Sequence, residues 1–137
     1  MVLVDTPVWS LALRRKGNKR SPKEEKLSDA LRDLIREGRA QMIGSVRQEL
    51  LSGIREEQQF VRLRDRLRAF EEPTLQAKDY EDAASMSNRC RARGIAGSSI
   101  DFLICAVAHS RGWQILTTDG DFGHYAKILP LRLYLAP

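Results

Sequence analysis

The sequence predicts an α/β fold of three layers, α/β/α, with helices on both faces of a central parallel sheet of four to five short strands. Three observations predict it. Short apolar runs without polar alternation, as in MVLV at 1–4, suit strands buried on both faces. The strand candidates are separated by stretches with helical spacing and helix start signals, which is the pattern of parallel crossovers. The chain has 137 residues, 42% of them apolar and 30% charged, enough for the core of one domain spanning 1–137.

The elements follow in order. Residues 1–4 form a first strand. Thr6-Pro7 then reads as N-cap and first position of a short helix carrying Val8, Trp9 and Leu11–Leu13. The segment 14–20, RRKGNKR, reads as a loop. Ser21-Pro22-Lys23-Glu24 is a capping box with proline at the first helical position. Leu27, Ala30, Leu31, Leu34 and Ile35 continue it as an amphipathic helix up to Gly38. Residues 40–43 are a second strand. Ser45 and Gln48 make a second capping box, opening a short helix that ends near Gly53. Phe60, Leu63, Leu67 and Phe70 mark the core-facing stripe of a further helix, which Pro73 stops. Residues 75–93 read as helical, up to Gly94. A third capping box, Ser98 to Asp101, opens an apolar helix closed by Gly112. Trp113–Thr118 is a strand, followed by a loop at 119–123, and Leu131–Leu135 is a last strand.

Composition excludes several classes. No apolar run approaches the length of a membrane span. The first ten residues lack a basic stretch ahead of an apolar core, so they do not read as a signal peptide, and a cytoplasmic protein is expected. Two cysteines, Cys90 and Cys105, make neither a disulfide framework nor a four-ligand zinc site. The net charge is +5, from 23 basic and 18 acidic residues. It is unevenly spread. Residues 14–20 hold five basic side chains and no acid, and residues 89–93 hold three and no acid. The rest of the chain is therefore net acidic, at −3. Arg14, Arg15, Lys16, Lys19 and Arg20 are candidate phosphate contacts, as are Arg89, Arg91 and Arg93.

The acids are placed by fold logic. Ligands bind at the carboxyl ends of the strands in an open parallel sheet. Asp5 directly follows the first strand, and Asp119 and Asp121 follow the 113–118 strand. Glu49 and Asp101 each sit in the first turn of a helix. Singly, each has an ordinary use as a cap, a first-turn acid or a turn residue. Together, carboxylates converging without an interleaved Arg or Lys repel one another. A hard cation with oxygen ligands, Mg²⁺ or Mn²⁺, relieves that repulsion.

Four segments in this order resemble one family: VLVDTPVWS at 2–10, SVRQELLSGI at 45–54, GSSIDFLICAVAHSRG at 97–112 and ILTTDGDFGHY at 115–125. They resemble the PIN-domain ribonucleases, and within these the VapC-like toxins of type II toxin–antitoxin pairs. The resemblance implies a catalytic set of Asp5, Glu49, Asp101, Asp119 and Asp121, with Asp5, Asp101 and Asp119 as metal ligands. Asp119 is favoured over Asp121 as the closer one. Thr117 and Thr118 occupy a Thr-rich approach suited to bonding a carboxylate or water. The implied activity is Mg²⁺- or Mn²⁺-dependent hydrolysis of RNA, with a transfer-RNA or ribosomal-RNA loop as substrate, a cognate VapB-like antitoxin as partner and a homodimer as assembly. An RNA-processing nuclease without an antitoxin and an inactive binding module are the alternatives. The long basic segment 14–20 departs from the shorter connection common in the family.

Overall fold

A computed structural model describes residues 1–13 and 20–137. Among the described residues, three strands and seven helices alternate. Strand β1 is Val2–Val4, β2 is Ala40–Gln41 and β3 is Gln114–Leu116. The sheet is wholly parallel, in the order β2-β1-β3. Val2 stands opposite Ala40 on one side and Gln114 on the other, so β1 is the central strand. Its three residues are fully buried, as an apolar run without alternation requires.

The expectation of four to five strands is corrected to three. Leu131–Leu135 contributes one parallel bridge, Leu133 opposite Ile115, rather than a strand. The Ile115 amide donates to the Arg132 carbonyl at 2.9 Å, and the Tyr134 amide to the Ile115 carbonyl at 2.7 Å. No residue of this segment is fully buried: Leu131, Leu133 and Tyr134 are partly so, and Leu135 is left 85% exposed. Burial of one face is what holds an edge strand in register.

Helix α1 is Thr6–Leu13 and α2 is Pro22–Arg36, which carries the full Ser21–Glu24 capping box. Helix α3 is Gly44–Leu51. Its expected capping box at Ser45 is corrected. The N-cap is Ile43, which offers no side-chain bond and is fully buried, so packing of Met42 and Ile43 sets the helix start. Helices α4 (Glu57–Leu67) and α5 (Ala77–Ala92) follow. Helix α6 (Ser99–Arg111) is buried continuously from Phe102 to Ala108 and closes at Gly112, whose φ of 70° turns the chain into β3. The expected loop at 119–123 is corrected to a short helix, α7 (Asp121–Tyr125), anchored by the buried Phe122 and Tyr125. No described helix is long and apolar enough to cross a membrane.

One polar clamp ties α5 to α6. The Arg111 guanidinium donates to Asp79 at 3.0 and 3.3 Å and to the Thr74 carbonyl at 3.1 Å. It also lies 5.8 Å from the centre of the Trp113 ring. The Arg111 bond holds the Asp79 carboxyl below its ordinary range. Arg111→Ala strands that carboxylate, which is only 6% exposed. It is expected to lower stability by about 2 kcal/mol, read from the midpoint of urea unfolding. An unchanged midpoint would make the clamp dispensable.

Candidate metal centre

The carboxyl edge of the central strand carries the site. The β1–β3 ladder runs one residue past the strand, with the Asp5 amide donating to the Leu116 carbonyl at 2.9 Å. The chain then turns at once into α1. Asp5 itself caps that helix, since its Oδ1 accepts from the Thr6 amide at 2.8 Å. This differs from the expected cap at Thr6, which is already the first helical residue. The indole of Trp9 donates to the Val4 carbonyl at 3.1 Å and locks the corner from beneath.

The second oxygen of Asp5 starts a chain of bonds. Thr117, just beyond β3, donates its hydroxyl to Asp5 Oδ2 at 2.9 Å. The Thr117 oxygen accepts from the Asp119 amide at 2.9 Å. The Asp119 carboxylate accepts from the Asp121 amide at 2.9 Å, as an Asx turn that opens α7. Asp5, Asp119 and Asp121 are thus linked across two strand ends. Thr118 is exposed beside them.

Asp101 arrives from α6. Its amide donates to the Ser98 hydroxyl at 3.1 Å, the first half of the expected capping box. Its carboxylate instead accepts from the Tyr125 hydroxyl, at 2.8 Å on Oδ2. The tyrosine was legible only as the end of the segment ILTTDGDFGHY, and residue type alone gave it no role.

The acids of this group act on one another as like charges. Asp5 is 4% exposed. Burial pushes its carboxyl up to about 6, aided by the negative charges of Asp101 and Asp119 and opposed by the bonds from Thr117 and Thr6. Burial, the bond to Asp101 and the surrounding aspartates also push the Tyr125 phenol far up, so it stays a hydrogen donor. The thiols of Cys90 and Cys105 are raised by burial as well, and both side chains are enclosed in the core. They are not nucleophiles.

Glu49 stands exposed in the second turn of α3, not in the first as expected, and no hydrogen bond joins it to the aspartates. Arg14, Arg15, Lys16 and Lys19 lie outside the described residues. Arg20 faces inward. Its guanidinium donates to the Leu11 carbonyl at 2.6 Å and to the Ser28 hydroxyl at 3.1 Å, and it lies 3.7 Å from Glu25. His124, Arg91 and Arg93 are exposed, and Arg89 donates to the Ile128 carbonyl at 3.3 Å. A groove of about 340 Å³ opens beside Thr118, between α1 and α2, with Pro7, Ser10, Leu11, Lys23, Glu24 and Leu27 in its walls.

Among the described residues, no three His, Cys, Asp or Glu side chains converge tightly enough to ligate one ion. The donor chemistry nonetheless fits a hard divalent cation. The acids are all-oxygen donors, and no Lys or Arg among the described residues pairs with Asp5, Asp101 or Asp119.

The sequence matches the PIN domain family over residues 2–128. No curated protein matches it. Among the solved structures that share its fold are these three. One is FitAcB from Neisseria gonorrhoeae, with a TM-score of 0.76 and 20% identity over 99% of this chain and 98% of that one. Another is VapBC2 from Rickettsia felis bound to a DNA fragment from their promoter, at 0.72 and 17%, covering 97% and 96%. The third is FitAB bound to an IR36 DNA fragment, at 0.73 and 19%, covering 98% and 94%. With the family matched along nearly its whole length, and Asp5, Asp101 and Asp119 within one another's field at the end of the central strand, the chain belongs to the PIN domain family.

Proposed function

We propose that this chain is a divalent-metal-dependent endoribonuclease toxin, held in check by a cognate antitoxin and assembled as a homodimer. The observation that carries the nuclease reading is the buried Asp5 carboxylate with Asp101 and Asp119 close enough to raise it. PIN domains are generally nucleases. The antitoxin reading is supported by the fold shared with the FitAcB and VapBC2 complexes.

Asp5, Asp101 and Asp119 would hold the ion, Mg²⁺ or Mn²⁺. When bound, it supplies a water of lowered pKa and neutralises charge on the phosphoryl group. The chain's own residues do the rest. Thr117 fixes the rotamer of Asp5 by its hydroxyl and ties it to Asp119. Glu49, exposed on α3, would orient the attacking water or hold a second ion. The groove beside Thr118 gives the strand a path past the acids, with Lys23 near a phosphate. The basic segment 14–20 attracts the polyanion from further away. Recognition of a transfer-RNA or ribosomal-RNA loop fits the preference of proteins for unpaired bases.

EDTA is expected to abolish cleavage of a loop-containing RNA by the purified protein, and added Mn²⁺ to restore it. Cleavage that persists in EDTA would overturn the metal-dependent reading. Mapping the new 5′ ends after induction in cells identifies the RNA.

A further inference from the structure

We infer that Tyr125 is a positioning residue, which sets the carboxylate of Asp101 through its hydroxyl, and that Gly97 is the vacancy in the backbone that admits that hydroxyl. The inference rests on the metal-dependent reading above and adds two residues to it.

The geometry is specific. The Tyr125 side chain is fully buried. Its ring lies 4.9 Å from that of Phe102 and 5.2 Å from that of Phe122, centre to centre. Two aromatic contacts fix the ring plane and aim the hydroxyl at one place. That place is Asp101 Oδ2, at 2.8 Å. Among the described residues, Asp101 Oδ1 accepts no hydrogen bond. A bond from a neutral donor to a carboxylate is charge-assisted and directional. It therefore holds one oxygen and presents the other.

Gly97 completes the fit. A Cβ there would overlap the Tyr125 hydroxyl and stand 2.8 Å from Cζ and 3.0 Å from Phe102 Cε2. Real Cβ atoms do not approach that closely. An alanine would drive the tyrosine off Asp101 although it carries no charge and touches no acid. Groups that orient a metal ligand typically change metal affinity or activity by about tenfold to a hundredfold when removed.

Calorimetric titration with Mn²⁺, in the absence of RNA, tests the idea directly. Tyr125→Phe keeps both ring contacts and removes only the hydroxyl. It is expected to melt near the wild type, to bind Mn²⁺ about tenfold more weakly, and to lower kcat on RNA with KM unchanged. Gly97→Ala is expected to weaken Mn²⁺ binding similarly, and it carries the test alone if Tyr125→Phe fails to fold. Because both act through one bond, the double variant is expected to bind no more weakly than the weaker single variant. Tyr80→Phe, at an exposed tyrosine, serves as the control. Wild-type affinity and kcat in Tyr125→Phe would overturn the positioning role while leaving the metal reading intact. A wild-type protein that takes up no Mn²⁺ would overturn both.

Discussion

Asp5→Asn is expected to lower RNA cleavage by about a thousandfold or more, and Asp101→Asn to do the same. The substitutions remove charge while sparing shape. An asparagine at 5 still offers an oxygen to the Thr6 amide, and its amide nitrogen can meet the Thr117 oxygen. An asparagine at 101 still offers an oxygen to the Tyr125 hydroxyl. What disappears is the anionic donor. Cleavage of a fluorescent RNA by the purified variants gives the readout, and relief of growth arrest on induction gives its cellular counterpart. Full cleavage by the double variant would remove these residues from the active site.

The second large effect concerns stability and runs in the opposite direction. The Asp5 carboxyl rises from 3.8 to about 6 in the folded chain. The folded state therefore holds this proton more tightly than the unfolded state. The resulting stabilisation is fully present below about pH 4 and is lost as pH rises through about 6. The shift corresponds to about 3 kcal/mol as an upper value. Asp79 works the other way. Its lowered carboxyl stabilises the fold above the ordinary carboxylate range, and that contribution fades on acidification. Comparing variants at one pH isolates Asp5. In EDTA at pH 7.5, Asp5→Asn is expected to melt above the wild type, by about 10 °C at most. The gap should close near pH 4. Mn²⁺ should raise the wild type and leave the variant where it was. A gap that does not change with pH would show that the Asp5 charge is not what strains the fold.

Much of this architecture was legible in the residues. An apolar run ending in Asp5 marks a buried strand meeting a helix, and Val2, Leu3 and Val4 are buried on both faces. The Ser21 capping box fixes α2 to the residue. The misreadings share a physical cause: tertiary packing decided what local signals left open. Ser45 and Gln48 have the chemistry of a capping box, yet the buried Ile43 starts α3. Asp119-Gly-Asp has the composition of a loop, yet Phe122 and Tyr125 need the core, and one helical turn brings both there. The Leu131–Leu135 alternation has the period of a strand but no fully buried position, and it makes a single bridge.

The site shows the same division. Asp5 and Asp119 are brought near one another by strand order alone. Asp101 follows from the helix that precedes β3. The Asp101–Tyr125 pairing spans 24 residues and depends on Gly97, and spacing does not encode it. Arg20 belongs to the basic segment by sequence, but its charge is spent on the Leu11 carbonyl and Ser28. The net charge of the segment therefore overstates what it offers to a phosphate.

The pairing of β1 with β3 also has a consequence in time. Asp5 meets Thr117 across 112 residues of chain. A ribosome adding about 5–20 residues per second needs on the order of ten seconds to make that interval. Until then β1 has no β3 to pair with, and Asp5 has neither the bond that fixes it nor the charges that raise it. Such non-local pairings are also slow to form. A nascent copy therefore cannot gather these carboxylates until β3 has been made. The strand order works as a delay: the site assembles only when the last third of the chain has folded back onto its first five residues.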